Sequence, residues 1–270
     1  KEGIKIDSKY LNKLDIEFEK ELNTFKKEIF NQSGEEFNLN SPKQLGNILF
    51  DKLKLVSKPK KTKTGQYSTS EEVLSSLANN HEVIRSILEW RSLDKLQNTY
   101  VRSLPNEVSD KTNKIHTRFN QTVTTTGRLS SNNPNLQNIP IRTKNGQKIR
   151  KAFIPRNSEF ELMAADYSQI ELRVIASISK DENMIDAFIK EQDIHIMTAS
   201  KIYNLDPYEV TREQRGNAKT VNFGIIYGVS AFGLSQQTNL TRSESKLMID
   251  NYFENYPGLK TYMSSQIDYA

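Results

Sequence analysis

The order of apolar patterns along the chain constrains the fold more than any other feature. Apolar residues spaced three or four apart, as in amphipathic helices, run through the first hundred residues and begin with Leu11, Leu14, Phe18, Leu22, Phe25 and Ile29. Strand-like segments follow between residues 115 and 166, and helical patterns return from Ser168 onward. Because helices and strands are segregated and do not alternate as β-α-β units, the sequence predicts a mostly helical α+β fold.

Local signals place the ends of several elements. Ser8 is the expected N-cap of the first helix, which should break at Ser33-Gly34, and Ser41-Pro42 supplies the N-cap and first residue of the next. Two later helix starts carry capping boxes, Thr211…Gln214 and Thr241…Glu244. The remaining predicted helices are 70–78, 81–104, 168–178, 181–190, 193–203, 212–227, 243–255 and 258–268, and the predicted strands are 115–122, 152–155 and 159–166.

Composition excludes several classes of function. The chain has no Cys, which rules out a disulfide scaffold, a thiolate zinc site and a Cys nucleophile. No apolar run approaches the ~18 residues of a membrane span. The net charge of +5 and the isoelectric point near 9.1 are compatible with nucleic acid but also common in unrelated proteins. The chain begins without Met or a signal-peptide pattern, so we expect an excised piece of a longer protein.

Two segments concentrate positive charge without any acidic residue. The first has four lysines within six positions: Lys58, Lys60, Lys61 and Lys63. It is either a solvated loop or a flexible tip that neutralises phosphates. The second, residues 141–156, carries Arg142, Lys144, Lys148, Arg150, Lys151 and Arg156. Its composition suits contact with a phosphate backbone.

An acidic residue stands where an apolar segment gives way to a helix. Asp166 precedes the turn 167–169, and a carboxylate beside an open turn is a common ligand of Mg²⁺. Glu171 follows one helical turn later and could lie beside the same site. The alternative is that Asp166 only caps the helix.

Four residues spaced four apart form the second chemical feature. Arg215, Lys219, Phe223 and Tyr227 drift only ~40° per step on a helix, so they share one face with a cationic end and an aromatic end. Phosphates suit the first end and a sugar and base suit the second. The opposite face, with Ala218, Val221 and Ile225, is apolar. The alternative is a structural helix that buries both aromatic rings.

Amide side chains crowd one short loop near Arg128, namely Asn133, Asn135, Gln137 and Asn138. Amides donate and accept, as minor-groove edges require, although an Asn-rich turn that satisfies itself is the alternative. His195 follows Asp193-Ile194 and either binds a phosphate or caps a helix.

Taken together, these motifs resemble those of family A DNA polymerases, the bacterial DNA polymerase I family. Residues 166–173 (DYSQIELR) resemble motif A, and Arg215, Lys219, Phe223 and Tyr227 match every defining position of motif B, the fingers helix. Residues 126–131 (TGRLSS) and 134–140 (PNLQNIP) resemble the stretch that links thumb and palm. Residues 36–39 (EFNL) and the lysine-rich tip resemble the thumb, so the resemblance covers essentially the whole chain.

The resemblance implies a right-hand polymerase architecture and a set of roles. Residues 1–110 would form the thumb, 111–180 part of an antiparallel palm sheet with motif A, and 181–270 truncated helical fingers with motif B. Asp166 and Lys219 would be catalytic, and Asp166 with the Tyr167 carbonyl would bind Mg²⁺, two ions in the complete enzyme. The nucleotide site would comprise Glu171, which excludes a ribose 2′-OH, with His195, Arg215, Lys219, Phe223 and Tyr227. DNA would be bound by Arg128, Asn135, Gln137, Asn38, Ser41, Lys58, Lys60, Lys61 and Lys63.

The implied partners are primer–template DNA and deoxynucleoside triphosphates, with no membrane, in a monomeric enzyme of the bacterial cytoplasm that is associated with the nucleoid. The sequence departs from the family where a His-Asp-Glu strand, motif C, should supply a second metal carboxylate. None of the three histidines is followed by Asp-Glu. We therefore expect the chain to be inactive alone. A non-catalytic DNA-binding module and an interaction fragment without DNA affinity are the competing interpretations.

Overall fold

The computed structural model describes residues 2–141, 143–238 and 240–269. Arg142, part of the second basic segment, lies outside the described residues. The chain divides into two compact units, Lys1–Met163 and Ala164–Ala270. The mostly helical α+β class is confirmed. Among the described residues, none of the helices combines the length and apolar character of a transmembrane span.

The first unit contains five α-helices and three small antiparallel strand pairs in its described part. The helices are α1 (Ser8–Ser33), α2 (Pro42–Asn47), α3 (Glu71–Leu77), α4 (Glu82–Leu96) and α5 (Lys144–Arg150). Two π-helical turns (Ile48–Lys52, Gln97–Val101) extend α2 and α4, and a 3-10 turn covers Leu104–Glu107. The strands are β1 (Lys5–Ile6), β2 (Val108–Ser109), β3 (Lys114–Ile115), β4 (Arg118–Asn120), β5 (Ser130–Asn132) and β6 (Phe153–Ile154). They pair as β1–β6, β2–β3 and β4–β5.

The core of the first unit forms between α1 and α4. Leu11, Phe18 and Ile29 on α1 and Ile84 and Ile87 on α4 are fully buried in one apolar cluster. Each such side chain contributes roughly 1.5–3 kcal/mol when removed from water, so the predicted stripe on α1 is a main source of stability.

The predicted break at the end of α1 is confirmed, but its predicted N-cap is wrong by one residue. Gly34 has φ 72° and its N–H bonds the Phe30 carbonyl at 2.8 Å, as a left-handed C-cap does. The N-cap is Asp7, not Ser8, because the extended Asp7 backbone lets its carboxylate accept the Tyr10 N–H at 2.9 Å. At α2 the predicted cap, Ser41 followed by Pro42, is confirmed.

The strand prediction for residues 159–166 is wrong. No strand is described between Pro155 and Gln169, and the alternating apolar residues Phe160 and Leu162 are exposed. A strand is stabilised by a hydrogen-bonded neighbour, which a local alternation of residue types does not provide. The other two predicted strands exist but are shorter, as β3 with β4 and as β6.

In the described part of the second unit, every regular element is a helix. Its helices are α6 (Ile170–Ser179), α7 (Glu182–Ile189), α8 (Ile194–Tyr203), α9 (Arg212–Ile226), α10 (Ala231–Gln237), α11 (Arg242–Asn255) and α12 (Pro257–Tyr269), with a 3-10 turn at Pro207–Glu209. Both predicted capping boxes form, at Thr211 and at Thr241. Leu172, Val221, Leu234 and Leu259 are fully buried in its apolar core, which holds α9 against its neighbours.

Candidate functional site

The predicted face of α9 exists as a partly solvent-accessible surface. Lys219 and Tyr227 are exposed, whereas Arg215 and Phe223 are half-buried. The opposite face is buried, since Ala218, Val221 and Ile225 are at most 2% exposed. The alternative, a helix that buries both aromatic rings, is therefore wrong for Tyr227, which is 61% exposed.

Arg215 is held in place by an acidic residue at the start of the neighbouring helix. Its Nε and Nη2 donate to Asp193 Oδ2 at 2.9 and 2.7 Å. Asp193 Oδ1 meanwhile accepts the backbone N–H groups of His195 and Ile196 at 2.9 and 3.2 Å and so caps α8. Burial opposes ionisation of Asp193, but the hydrogen bond from Arg215 and that from the Ile196 N–H outweigh it and lower its pKa. The Asp193 carboxylate thus both orients the Arg215 guanidinium and caps the N-terminus of α8.

His195 lies behind this ion pair and is almost completely buried, at 2% exposed. Its ring centroid is 5.9 Å from that of Phe223, and its Nδ1 is 2.8 Å from Asn222 Nδ2. Burial lowers the pKa of His195 to about 4, against the opposing effect of Asp193 and with further lowering by Arg215 and Lys219. The imidazole is therefore neutral at physiological pH. His195 does not act as the helix cap, because Asp193 has that role.

Glu171 and Tyr227 are brought together although 56 residues separate them. The Tyr227 hydroxyl donates to Glu171 Oε2 at 2.7 Å. This bond joins the first turn of α6 to the C-terminal end of α9. Two residues proposed for the same nucleotide site from separate motifs are thus direct neighbours.

Asp166 and Tyr167 lie in an exposed segment before α6. The N-cap of α6 is Gln169, whose φ is 55° and whose side chain makes no capping bond. Asp166 does not cap this helix, so the alternative interpretation of Asp166 is wrong. Arg173 secures the turn by donating from Nε to the Ser168 carbonyl at 3.2 Å.

A carboxylate and a backbone carbonyl are the hard oxygen donors that Mg²⁺ prefers, so Asp166 and Tyr167 fit this ion chemically. In residues 2–141, 143–238 and 240–269, no three His, Asp or Glu side chains gather into a group that could hold a metal.

The lysine-rich tip in the first unit has a defined backbone. The Thr62 N–H bonds the Gln66 carbonyl at 2.7 Å, and the Ser68 N–H bonds the Lys60 carbonyl at 2.8 Å. These bonds close a small hairpin in which Lys61 Nζ lies 5.2 Å from the Tyr67 ring centroid. Lys58, Lys60, Lys61 and Lys63 are all exposed. Lys60 Nζ also lies 3.6 Å from Glu72 Oε1, so the tip is a structured turn whose lysines are exposed and of which Lys60 has an acidic partner.

Asn38 and Ser41 lie together at the start of α2. The Ser41 hydroxyl accepts the Gln44 N–H at 3.4 Å, and Asn38 Oδ1 accepts the Asn40 N–H at 2.9 Å. Both side chains support the local turn, and Ser41 is only partly accessible.

Asn135 and Gln137 are adjacent in the amide-rich loop, where Asn135 Oδ1 accepts the Gln137 N–H at 3.0 Å. Within the same unit, Asn135 lines a groove of about 860 Å³ together with Asn138, Arg91 and Lys95. Arg91 and Lys95 were not predicted as functional residues. Their spacing of four residues places two cations on one side of α4, but Arg91 is already bonded to the carbonyl and hydroxyl of Thr69.

The second basic segment is less available than its composition predicts. Residues 144–150 form α5, which was not predicted, and Lys148 Nζ bonds Glu17 at 2.5 Å. Arg156 bonds Glu2. The sequence pattern missed these pairs because both acidic partners come from the N-terminal region, far away in sequence.

Fold and site define a mostly helical protein whose second unit presents a cationic and aromatic helix face beside a carboxylate-bearing turn. The family model of DNA polymerase family A matches residues 8–270. The chain belongs to family A of the DNA polymerases.

Individual relatives agree with this membership. The chain is 50% identical over 268 residues to DNA polymerase I of Geobacillus stearothermophilus, covering 99% of this chain and 30% of that protein. It is 46% identical to the thermostable DNA polymerase I of Thermus thermophilus, covering 98% and 32%. Among solved structures, the POL domain of Pol1 from M. smegmatis, in complex with DNA primer-template and dNTP, superposes with a TM-score of 0.89 at 41% identity, covering 99% of this chain and 47% of that one. The chain thus spans about a third of these curated relatives.

Proposed function

We propose that this chain contributes the nucleotide-binding and part of the DNA-binding surface of a DNA-directed DNA polymerase, which adds deoxynucleotides to a primer 3′ end on a DNA template. The observation that carries the proposal is the face of α9, where Arg215 is fixed by Asp193 next to exposed Lys219 and half-buried Phe223. Pre-positioned cations are what phosphoryl transfer chiefly requires of a protein, since charge builds up on the phosphate oxygens in the transition state.

Each member of this face has a proposed role. Arg215 and Lys219 bind the triphosphate as cations, and His195 adds a neutral hydrogen bond. Phe223 packs on the sugar and base. Glu171, anchored by Tyr227, occupies the space beside the sugar where a ribose 2′-OH would lie.

The metal site is proposed at Asp166 and the Tyr167 carbonyl, with two Mg²⁺ ions in the complete enzyme. When bound, the ions supply charge neutralisation for the triphosphate and activation of the primer hydroxyl. Asp166 is suited to this role because it lies in an exposed segment and its carboxylate is not used as a helix cap. A second acidic ligand of the motif C type is not found in this sequence, so we propose that the chain does not turn over alone.

DNA contacts are proposed in the first unit. The lysines of the hairpin tip neutralise backbone phosphates, together with Asn38 and Ser41 at the start of α2. Arg128, Asn135 and Gln137 contact the minor groove. The base edges there present hydrogen-bond acceptors at similar positions in every base pair, so side chains that donate can bind them almost independently of sequence. The same proposal divides the chain into thumb (1–110), partial palm (111–180) and fingers (181–270). It also takes the enzyme to be a monomer that is associated with the bacterial nucleoid.

Nucleotide binding tests the proposal directly. Titration of the 270-residue chain with dATP and Mg²⁺ by calorimetry should show binding that Lys219→Ala weakens by roughly tenfold or more, because a charged hydrogen bond to phosphate is lost. Lys246→Ala is the matched control, since Lys246 is exposed on α11 of the same unit. Equal affinities for the two variants would contradict the role of α9.

DNA binding separates this function from that of an interaction fragment. The chain should bind primer–template duplexes of unrelated sequence with equal affinity. This affinity should fall steeply as the salt concentration rises, and the slope of log affinity against log salt should correspond to about one released ion per phosphate contact. Changing all four tip lysines to Gln should flatten this salt dependence. An affinity that is independent of salt would contradict phosphate tracking by the tip.

A further inference from the structure

We propose that Asn222 is a positioning residue that holds His195 as the Nε2–H tautomer, so that this histidine offers the nucleotide a neutral N–H donor and not a third positive charge. The nucleotide as ligand of His195 rests on the proposed function. The state of the imidazole itself does not depend on any ligand.

The hydrogen bond between the two residues decides the tautomer. Asn222 Nδ2 lies 2.8 Å from His195 Nδ1. An amide nitrogen only donates, so His195 Nδ1 must accept and must carry no proton. The neutral ring then has its proton on Nε2, at the opposite edge of the imidazole from Asn222.

The Asn222 amide makes a second hydrogen bond through its oxygen. Its Oδ1 accepts the Thr198 hydroxyl at 3.1 Å, and Thr198 Oγ1 is itself 3.3 Å from the Tyr256 hydroxyl. Asn222 is fully buried and Thr198 and Tyr256 are each 2% exposed, so water does not replace these partners. The chain of polar groups runs from Tyr256 through Thr198 and Asn222 to His195, and with Nδ2 toward His195 and Oδ1 toward Thr198 every member of it has a partner.

The charged groups around His195 are consistent with a neutral ring. On its own helix the nearest charge is Asp193 at the N-terminus, and on the facing α9 the charges are Arg215 and Lys219. Asp193 favours a charged imidazole, but its oxygens are already bound by Arg215 and the α8 backbone. With the amide in this orientation, a proton on Nδ1 would set two buried donors against each other.

Asn222 was not recognised from the sequence as functional. It stands next to Phe223 but points with Val221 and Ile225 toward the core side of α9. An amide on an otherwise apolar helix face was the signal, because a buried amide requires partners.

Nitrogen NMR of the histidine ring tests the proposal without any activity. A long-range ¹H–¹⁵N spectrum distinguishes the two neutral tautomers and the imidazolium, and the chain has only three histidines to assign. His195→Gln identifies the signal. The expected result for the wild-type chain is the Nε2–H pattern, unchanged between pH 8 and pH 6. An Nδ1–H pattern or a charged ring at pH 7 would overturn the proposal.

Substitution of Asn222 tests its causal role. In Asn222→Asp the carboxylate can only accept, so the proton should move to Nδ1 or the ring should become charged at higher pH. Asn217→Asp is the matched control, because it makes the same change on the same helix at an amide that contacts the Tyr203 hydroxyl at 3.2 Å. An unchanged His195 spectrum in folded Asn222→Asp would remove Asn222 from this role.

Thr198→Val replaces this test if Asn222→Asp does not fold by circular dichroism. It removes the hydroxyl that bonds the amide oxygen and keeps the shape of the side chain. We expect a mixture of tautomers, and a pure Nε2–H pattern would count against the polar chain.

Titration with dATP and Mg²⁺ separates this inference from the proposed function. Asn222→Asp should weaken binding by about tenfold or more relative to Asn217→Asp, as expected for one lost hydrogen bond to a charged group. A wild-type chain with the Nε2–H pattern but without dATP binding would refute the proposed function and leave the tautomer assignment standing. A shifted tautomer with unchanged dATP affinity would refute the positioning role.

Discussion

The Tyr227 hydroxyl donates a hydrogen bond of 2.7 Å to Glu171, and this contact gives a residue-scale prediction about sugar choice. Glu171→Ala removes the carboxylate proposed to fill the space beside the 2′ carbon. We expect the preference for dATP over ATP in binding to fall by roughly tenfold or more. Tyr227→Phe keeps the carboxylate but removes its anchor, so its effect should be smaller. The ratio of the two dissociation constants measures both effects, and an unchanged ratio in Glu171→Ala would exclude Glu171 as the gate.

The buried His195 predicts a dependence of stability on pH. Its pKa is lowered from 6.5 to about 4 in the folded chain, so the unfolded chain binds more protons between these values. The neutral histidine does not penalise folding above pH 6.5, and stability falls as pH drops toward 4, by about 3 kcal/mol in all. Urea unfolding at pH 7.5 and pH 5 should therefore show a loss that His195→Gln reduces. His81→Gln is the control, and the same pH dependence in both variants would contradict the prediction.

At the scale of elements, Asp181 links two helices in the second unit. Its Oδ1 accepts the Met184 N–H at 3.0 Å and caps α7, while its Oδ2 accepts the Leu259 N–H at 3.2 Å near the start of α12. The two segments approach so closely that a Cβ on Gly258 would lie 2.8 Å from the Asp181 Cα. One buried carboxylate thus satisfies backbone donors of two helices.

Asp181→Ala should therefore lower the stability of the folded chain more than the loss of an ordinary helix cap does. We expect a loss of about 2 kcal/mol or more in the free energy of unfolding, because two buried N–H groups lose their acceptor. Ser230→Ala, at the N-cap of the short helix α10, should cost about 1 kcal/mol or less. Urea denaturation compares them, and equal losses would show that the bond to Leu259 contributes nothing.

Helices were predictable from the sequence to the extent that their signals are local. The capping boxes at Thr211 and Thr241 and the break at Gly34 depend on residues within one turn, and all three are confirmed. The strand predicted at 159–166 failed because pairing depends on a distant partner. The short α10 was missed because its seven residues contain a glycine and too few turns to show a periodicity.

At the scale of the whole molecule, the face of α9 was predictable because a spacing of four residues fixes a common side on any helix. The network behind it was not, since Asp193 meets Arg215 and Asn222 meets His195 only after α8 packs on α9. Ion pairs between residues far apart in the sequence could not be predicted for the same reason. The segment 141–156 contains no acidic residue, yet Lys148 and Arg156 are paired with Glu17 and Glu2 from the N-terminal region.

The final prediction concerns catalysis by the 270-residue chain on its own. Two Mg²⁺ ions about 3.5–4 Å apart repel each other strongly, so holding them together requires several anionic ligands. Asp166 provides one carboxylate, and the Tyr167 carbonyl is neutral. Glu171, in the first turn of the helix that follows, is a further candidate, but its carboxylate is bound by Tyr227, and withdrawing it would also open the space beside the sugar.

The triphosphate brings its own negative charge, so nucleotide binding through Arg215 and Lys219 should persist while the primer hydroxyl is not activated. We therefore expect no primer extension by the purified chain, even with saturating Mg²⁺ and all four deoxynucleotides. Asp166→Ala, purified in parallel, measures any contaminating host polymerase. Extension by the wild-type chain above that background would show that Asp166 and the groups around it suffice to hold the metals, and that the site needs fewer carboxylates than electrostatics suggests.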